Sequence, residues 1–209
     1  FLVRFCGAAH MTGVDVTEQV IALGKQRCKT LGLEDGTEFI LADATDSGLP
    51  SQAFDFVWGE DGWCYVQDKE QLIAEAVRVL KPGGCIAFTD WVEGPAGLSD
   101  TQAERFMRFM KFPTLEGIPG YRRLLETHGC KVVRAEDTEV FDWYLEMYLD
   151  MLNMQLAYDA LRILDFDVGL FATIMEELVF MKELADEGKI TQGLFVARKG
   201  RARRRSAKA

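Results

Sequence analysis

Two aspartates close successive apolar, strand-like runs and carry the clearest chemical signal in the sequence. Asp15 ends MTGVDV together with Val16, and Asp43, followed by Ala44, ends TEFILAD. In a sheet wound from βαβ units, ligands bind beyond the carboxyl ends of the strands, and an acid placed there can accept hydrogen bonds from both hydroxyls of a ribose. Asp15 suits that role, with Val16 offering an apolar face to a purine and Thr17 left to cap the next helix. Asp43 suits the exocyclic amine of an adenine, with the backbone around Ala44 reading the ring edge. Each has an ordinary competitor: a helix cap for Asp15 and an Asx-turn for Asp43. A third group follows the run FDFVW. There the segment GEDGWCYV places Gly59, the acids Glu60 and Asp61, and the aromatics Trp63 and Tyr65 in one loop. A carboxylate such as Asp61 or Glu60 could take or steer the proton of an amine, and the two rings could box a small cation. The plain alternative is a solvated acidic loop.

Two later segments add candidates. In GIPGYRRLLETHG, Arg122 could hold a carboxylate bidentately, or simply be a surface helix arginine. In EVFDWYLEMYLDMLNM, Trp143, Met147 and Met151 share one helical stripe while Tyr144 and Tyr148 share another, so only one stripe can face a site. The segment reads either as a buried lid or dimer helix, which allows a homodimer, or as a cover over a substrate.

The elements that must position these residues alternate. MTGVDV, TEFILAD, FDFVWG and CIAFTDW read as strands, separated by a helix from about Thr17 to Leu31 and another from about Lys69 to Leu80, with KPGG as a turn. This is the pattern of a mainly parallel, wound α/β sheet. After Val92, SDTQ looks like a capping box of Ser99 with Gln102 opening a helix to Lys111, FPTLEGIPG like a loop, and YRRLLETHG like a helix. KVVRAEDTEV reads as a strand, Asp142–Leu164 and Val168–Glu187 as helices, and ITQGLFVARK as a closing strand. The expected layout is one domain over 1–199, with 92–120 and 142–188 covering the substrate, and a basic disordered tail over 200–209.

Composition narrows the classes further. With 209 residues, 48% hydrophobic and 27% charged, the chain has the makings of a folded core. Five widely spaced cysteines and two distant histidines argue against a disulfide framework, a metal centre or a Ser-His-Asp triad. The net charge of −9, despite the basic tail, makes nucleic acid an unlikely partner and disfavours an anionic membrane. No run is apolar enough to span a bilayer and no leader is visible, so the expected location is cytoplasmic.

Taken together, the strand ending in Asp15, the strand ending in Asp43 and Ala44, FDFVWGEDG, a helix ending VLKPGG and the strand CIAFTDW resemble the successive motifs of class I S-adenosylmethionine-dependent methyltransferases. FLVRFCG, WGEDGW, GYRRLLETHG and GKITQGLFVARKG are further similar to the sarcosine/dimethylglycine N-methyltransferases and neighbouring small-molecule enzymes. The resemblance implies a Rossmann-like sheet whose last strand, KITQGLFVARK, is antiparallel. It implies S-adenosyl-L-methionine as cofactor, with Asp15 at the ribose and Asp43 near the adenine, and a Tyr-Arg pair at Tyr121 and Arg122 in the substrate region. Such enzymes begin with a strand and a glycine-rich turn that this sequence lacks, and the expectation is a piece of a longer chain. The implied reaction is methyl transfer to a small molecule, an amine such as sarcosine or dimethylglycine. An oxygen or carbon acceptor, or a noncatalytic binding protein of the same fold, is the alternative.

Overall fold

The computed structural model describes residues 1–154 and 157–201, so the basic tail beyond Arg201 lies outside the described residues. A single helical turn, α1 (Leu2–Phe5), precedes β1 (Met11–Asp15), α2 (Glu18–Thr30), β2 (Thr37–Leu41), β3 (Phe54–Glu60), α3 (Lys69–Val79) and β4 (Leu80–Glu93). Then follow α4 (Asp100–Met110), α5 (Ile118–Thr127), β5 (Cys130–Asp137), α6 (Phe141–Met154), α7 (Ala157–Ile163), α8 (Val168–Asp186) and β6 (Ile190–Lys199).

Local chemistry accounts for most of these boundaries. Asp68 caps α3 by accepting the Gln71 amide at 2.8 Å, and Asp167 caps α8 through the Leu170 amide at 2.8 Å. The expected capping box forms: Ser99 Oγ accepts the Gln102 amide and Gln102 Oε1 accepts the Ser99 amide. Lys111, at φ 61°, ends α4 in the left-handed conformation. KPGG makes its expected turn inside β4: Lys81–Gly84 loop out between the pairs Phe54–Leu80 and Phe56–Cys85, with Gly83 at φ 85°. One expectation is corrected. Thr17 makes no side-chain cap on α2; its amide instead donates to Asp15 Oδ1 at 2.7 Å.

The strands pair in two groups. β1 and β2 are parallel, and β3, β4, β6 and β5 form a second sheet in that order. β3 and β4 are parallel, whereas β6 is antiparallel to both neighbours, as expected for the closing strand. Because successive side chains on a strand point to opposite faces, β4 and β6 divide two cores between them. Phe88 and its cross-strand partner Phe195 lie with Ile73, Tyr121 and Leu125 under α3 and α5. Trp91 faces the other way, against Phe106, Phe112 and Phe141 beneath α4, α6 and α8.

Candidate functional site

The two strand-end aspartates are neighbours. Parallel pairing sets Asp15 beside Leu41, and the Ala42 amide donates to the Asp15 carbonyl at 3.0 Å, so Asp43 begins the loop next to Asp15. Asp15 is half-buried, its Oδ1 taken by the Thr17 amide, and Val16 is 67% exposed beside it. Asp43 forms the Asx-turn that competes with a ligand role: its Oδ1 accepts both the amide and the hydroxyl of Thr45, at 2.8 and 2.7 Å. Those bonds hold its carboxyl below the usual range. In each acid Oδ2 is the oxygen left to meet a ligand. Vicinal hydroxyls on Asp15 and an exocyclic amine on Asp43 match this donor-accepting pair, so the residues present suit the nucleoside half of S-adenosylmethionine.

A salt-bridged clamp fixes the loop after Asp43, and nothing in the sequence singled it out. Glu75 on α3 is buried and accepts the amide and hydroxyl of Ser47 at Oε1. Arg78 donates to both Glu75 oxygens, at 2.6 and 2.8 Å, and also to Ser51 Oγ and the Leu49 carbonyl. Gln71 Nε2 reaches the Thr45 carbonyl at 3.3 Å. The guanidinium, more than any other neighbour, lowers the Glu75 carboxyl to about 2.

The acidic loop after β3 crosses the end of the sheet. Gly59 is buried under the indole of Trp63, and a Cβ there would lie 2.8 Å from Trp63 Cε2. That indole stacks on Phe88 with centroids 4.0 Å apart, on the α3 and α5 side. Asp61, at φ 48°, donates its amide to the Thr89 carbonyl at 3.0 Å. Its Oδ2 accepts Gln192 Nε2 at 2.7 Å. Gln192 pairs across the strands with Trp91, so it lies on the α4, α6 and α8 side. Asp61 and Trp63 therefore meet opposite faces of the sheet. Tyr65 lies on the Asp61 side, edge-on at 5.0 Å to Phe112 of the core that Trp91 faces. The expected box of both rings beside the acids does not form in this arrangement, because a two-residue step carries the chain over the sheet end. Glu60, the exposed last residue of β3, pairs in register with Thr89.

Behind the loop stands a buried polar set. Asp90 has no exposed surface; its Oδ1 accepts the Cys64 amide at 2.9 Å and its Oδ2 the Tyr121 hydroxyl at 2.6 Å. Burial pushes the Asp90 carboxyl up, against the opposing pull of those two donors. Burial and the nearby Asp90 charge push the Tyr121 hydroxyl up, and burial does the same to the Cys64 thiol. Lys69 donates to the Cys64 and Val66 carbonyls, and burial lowers its ammonium pKa. Tyr121 is thus in the core holding Asp90, while its neighbour Arg122 is exposed and reaches the Ala135 carbonyl at 3.5 Å. On α6 the buried stripe is Phe141, Leu145 and Leu152, and both aromatic stripes face outward, with Trp143 56% and Tyr144 49% exposed.

Residues 1–88 match the model of the methyltransferase domain family. The fold superposes on solved methyltransferases over 91% of this chain. Residues 1–88 thus carry a methyltransferase domain, and the fold is that of the class I methyltransferases. Phosphoethanolamine N-methyltransferase 1 of Arabidopsis thaliana is 29% identical over 149 residues, which is 70% of this chain and 29% of that protein. The chain spans under a third of that relative's length. A candidate sarcosine dimethylglycine methyltransferase from Galdieria sulphuraria superposes with a TM-score of 0.78 at 21% identity, covering 91% of this chain and 70% of that one. Phosphoethanolamine N-methyltransferase 2 of Haemonchus contortus, in complex with phosphomonomethylethanolamine and S-adenosylhomocysteine, has a TM-score of 0.78 at 17% identity, covering 91% and 43%. No helix among the described residues is long and apolar enough to cross a membrane.

Proposed function

We propose that this methyltransferase chain transfers a methyl group from S-adenosylmethionine to the nitrogen of a small amine, an amino acid such as sarcosine or dimethylglycine or a phosphorylated amino alcohol. The observation that supports an amine is Asp61, a carboxylate set over the sheet end with Oδ2 tied to Gln192 and Oδ1 buried without a hydrogen-bond partner among the described residues. An N–H donor is the group that such an oxygen lacks.

Asp15 would hold the ribose of the cofactor through Oδ2, with Val16 against the adenine face and Asp43 at its amine. The sulfonium supplies an activated methyl group that needs no metal and little acid or base chemistry. What remains for the protein is alignment, which can account for roughly 7–11 kcal/mol of a barrier. Asp61 would accept a hydrogen bond from the acceptor's N–H and take the proton that leaves the nitrogen: from the ammonium form before transfer when the acceptor is a tertiary amine such as dimethylglycine, or from the methylated ammonium product when it is a secondary amine such as sarcosine. Arg122 would hold an acceptor's carboxylate or phosphate only if the acceptor reaches over α5. The noncatalytic alternative requires neither acid to matter. The test is a methylation assay with labelled cofactor over sarcosine, dimethylglycine, phosphoethanolamine, a catechol and an isoprenoid diphosphate, with Asp61→Asn in parallel. Labelled amine product that is lost in Asp61→Asn supports the proposal. Label found only in the catechol or isoprenoid refutes an amine acceptor.

A further inference from the structure

Gln192 enters the site from the far end of the chain. It stands on β6, 131 positions after Asp61, and donates Nε2 to Asp61 Oδ2 at 2.7 Å. The Asp61 backbone is fixed as well, at φ 48° with its amide on the Thr89 carbonyl. A carboxylate held by its own amide and by one oxygen has little freedom left about its side-chain bonds. Its other oxygen, Oδ1, is buried and has no hydrogen-bond partner among the described residues, and neither has the buried Thr89 Oγ1. Register places Thr89 and Gln192 on the same face of the sheet, in successive same-face pairs with Leu194 and Trp91. That face is the one covered by α4, α6 and α8.

A buried acceptor left unpaired costs free energy, and such groups call for an explanation in a ligand or water that completes them. Packing alone would not require an amide here, since an apolar side chain beside Trp91 would fill the same space without a carboxylate to satisfy. The amide matters because it donates. Resting on the reading of Asp61 as the group that meets the acceptor nitrogen, we propose that Gln192 is a positioning residue: it occupies Oδ2 and so turns Oδ1 toward the N–H of the methyl acceptor. Thr89 Oγ1, buried on the same face and likewise without a partner among the described residues, is a second polar atom that an amine could meet there. Gln192 itself does not touch the acceptor.

The test compares wild type, Gln192→Glu, Asp61→Asn and the double variant Asp61→Asn/Gln192→Glu by thermal melting and by steady-state methylation of the amine panel. Gln192→Glu keeps the volume and replaces the donor with a second acceptor. It is expected to melt lower and to lose kcat by about a hundred-fold, the scale of a misplacement of about 1 Å, with the KM for the cofactor unchanged. The double variant restores one donor and one acceptor across the contact, so its melting temperature should recover while kcat does not. Should Gln192→Glu fail to fold, Gln192→Ala, which removes the donor without adding charge, gives the same comparison of kcat with KM. A Gln192→Glu variant that melts and turns over like wild type overturns the proposal, as does a double variant whose melting temperature does not recover. Recovery of melting alongside equal turnover in wild type and Asp61→Asn leaves the contact standing. That result removes Asp61 from the reaction, and the positioning role goes with it.

Discussion

Replacing Glu75 with Gln should destabilise the fold in a way that depends on pH, and the amount follows from the clamp. Glu75 accepts from Ser47 twice and from Arg78 through two nitrogens, while the same guanidinium holds Ser51 and Leu49. Together these tie the loop after Asp43 to α3. The carboxyl falls from an ordinary 4.5 to about 2. At roughly 1.36 kcal/mol per pH unit, that drop corresponds to about 3 kcal/mol. The folded value is depressed, so the stabilisation is fully present above 4.5 and is lost as pH falls through about 2. Urea unfolding of both chains at pH 7, 5, 4 and 3 measures this directly. Glu75→Gln should be about 3 kcal/mol less stable at pH 7 and 5, and the gap should close by more than half at pH 3. A gap that is under about 0.5 kcal/mol at pH 7, the range of an exposed pair, would refute the reasoning. So would a gap that does not change with pH.

Asp15→Ala should weaken S-adenosylhomocysteine binding by about ten-fold or more wherever that binding is measurable by calorimetry, since a hydrogen bond to a charged group contributes about 1.5–3 kcal/mol. Equal affinity in the variant would remove Asp15 from the ribose. Tyr121→Phe strips Asp90 Oδ2 of its donor and should cost about 1–3 kcal/mol in chemical denaturation with the slope unchanged; a neutral substitution would show that water replaces the hydroxyl. Gly59→Ala drives a methyl group into the Trp63 indole and should cost about 1–3 kcal/mol with a shift in tryptophan emission. An unshifted spectrum would mean that the indole moves aside freely.

What could be read from the sequence was local. Ser99 and Gln102 cap α4 across three positions, and the acids at the ends of β1 and β2 are named by the strands they close. The antiparallel β6 and the wound sheet were legible through the methyltransferase motifs. Contacts between distant segments were not. Glu75 and Arg78 look like an ordinary i, i+3 surface pair until the loop at Ser47 folds over them. Asp61 and Trp63 stand two positions apart and look like partners, yet the loop carries them to opposite faces. On α6, Trp143 and Tyr144 stand out in the sequence, while the residues that fill the core are Phe141, Leu145 and Leu152. Gln192 bears no mark in its own neighbourhood, because its role comes from register with Trp91 alone.

The span between Asp61 and Gln192 also sets an order in time. A contact across 131 positions forms only after the intervening chain has been made and folded back, and long-range strand pairing of this kind is intrinsically slow. During synthesis the aspartates of β1 and β2 can take their places early, but the carboxylate of Asp61 stays unaligned until β6 has left the ribosome and slotted between β4 and β5. Among the described strands β6 is the last to be made and the one that completes the contact of Gln192 with Asp61, so under the proposed roles a nascent chain would form the Asp15–Asp43 corner well before it could align an acceptor.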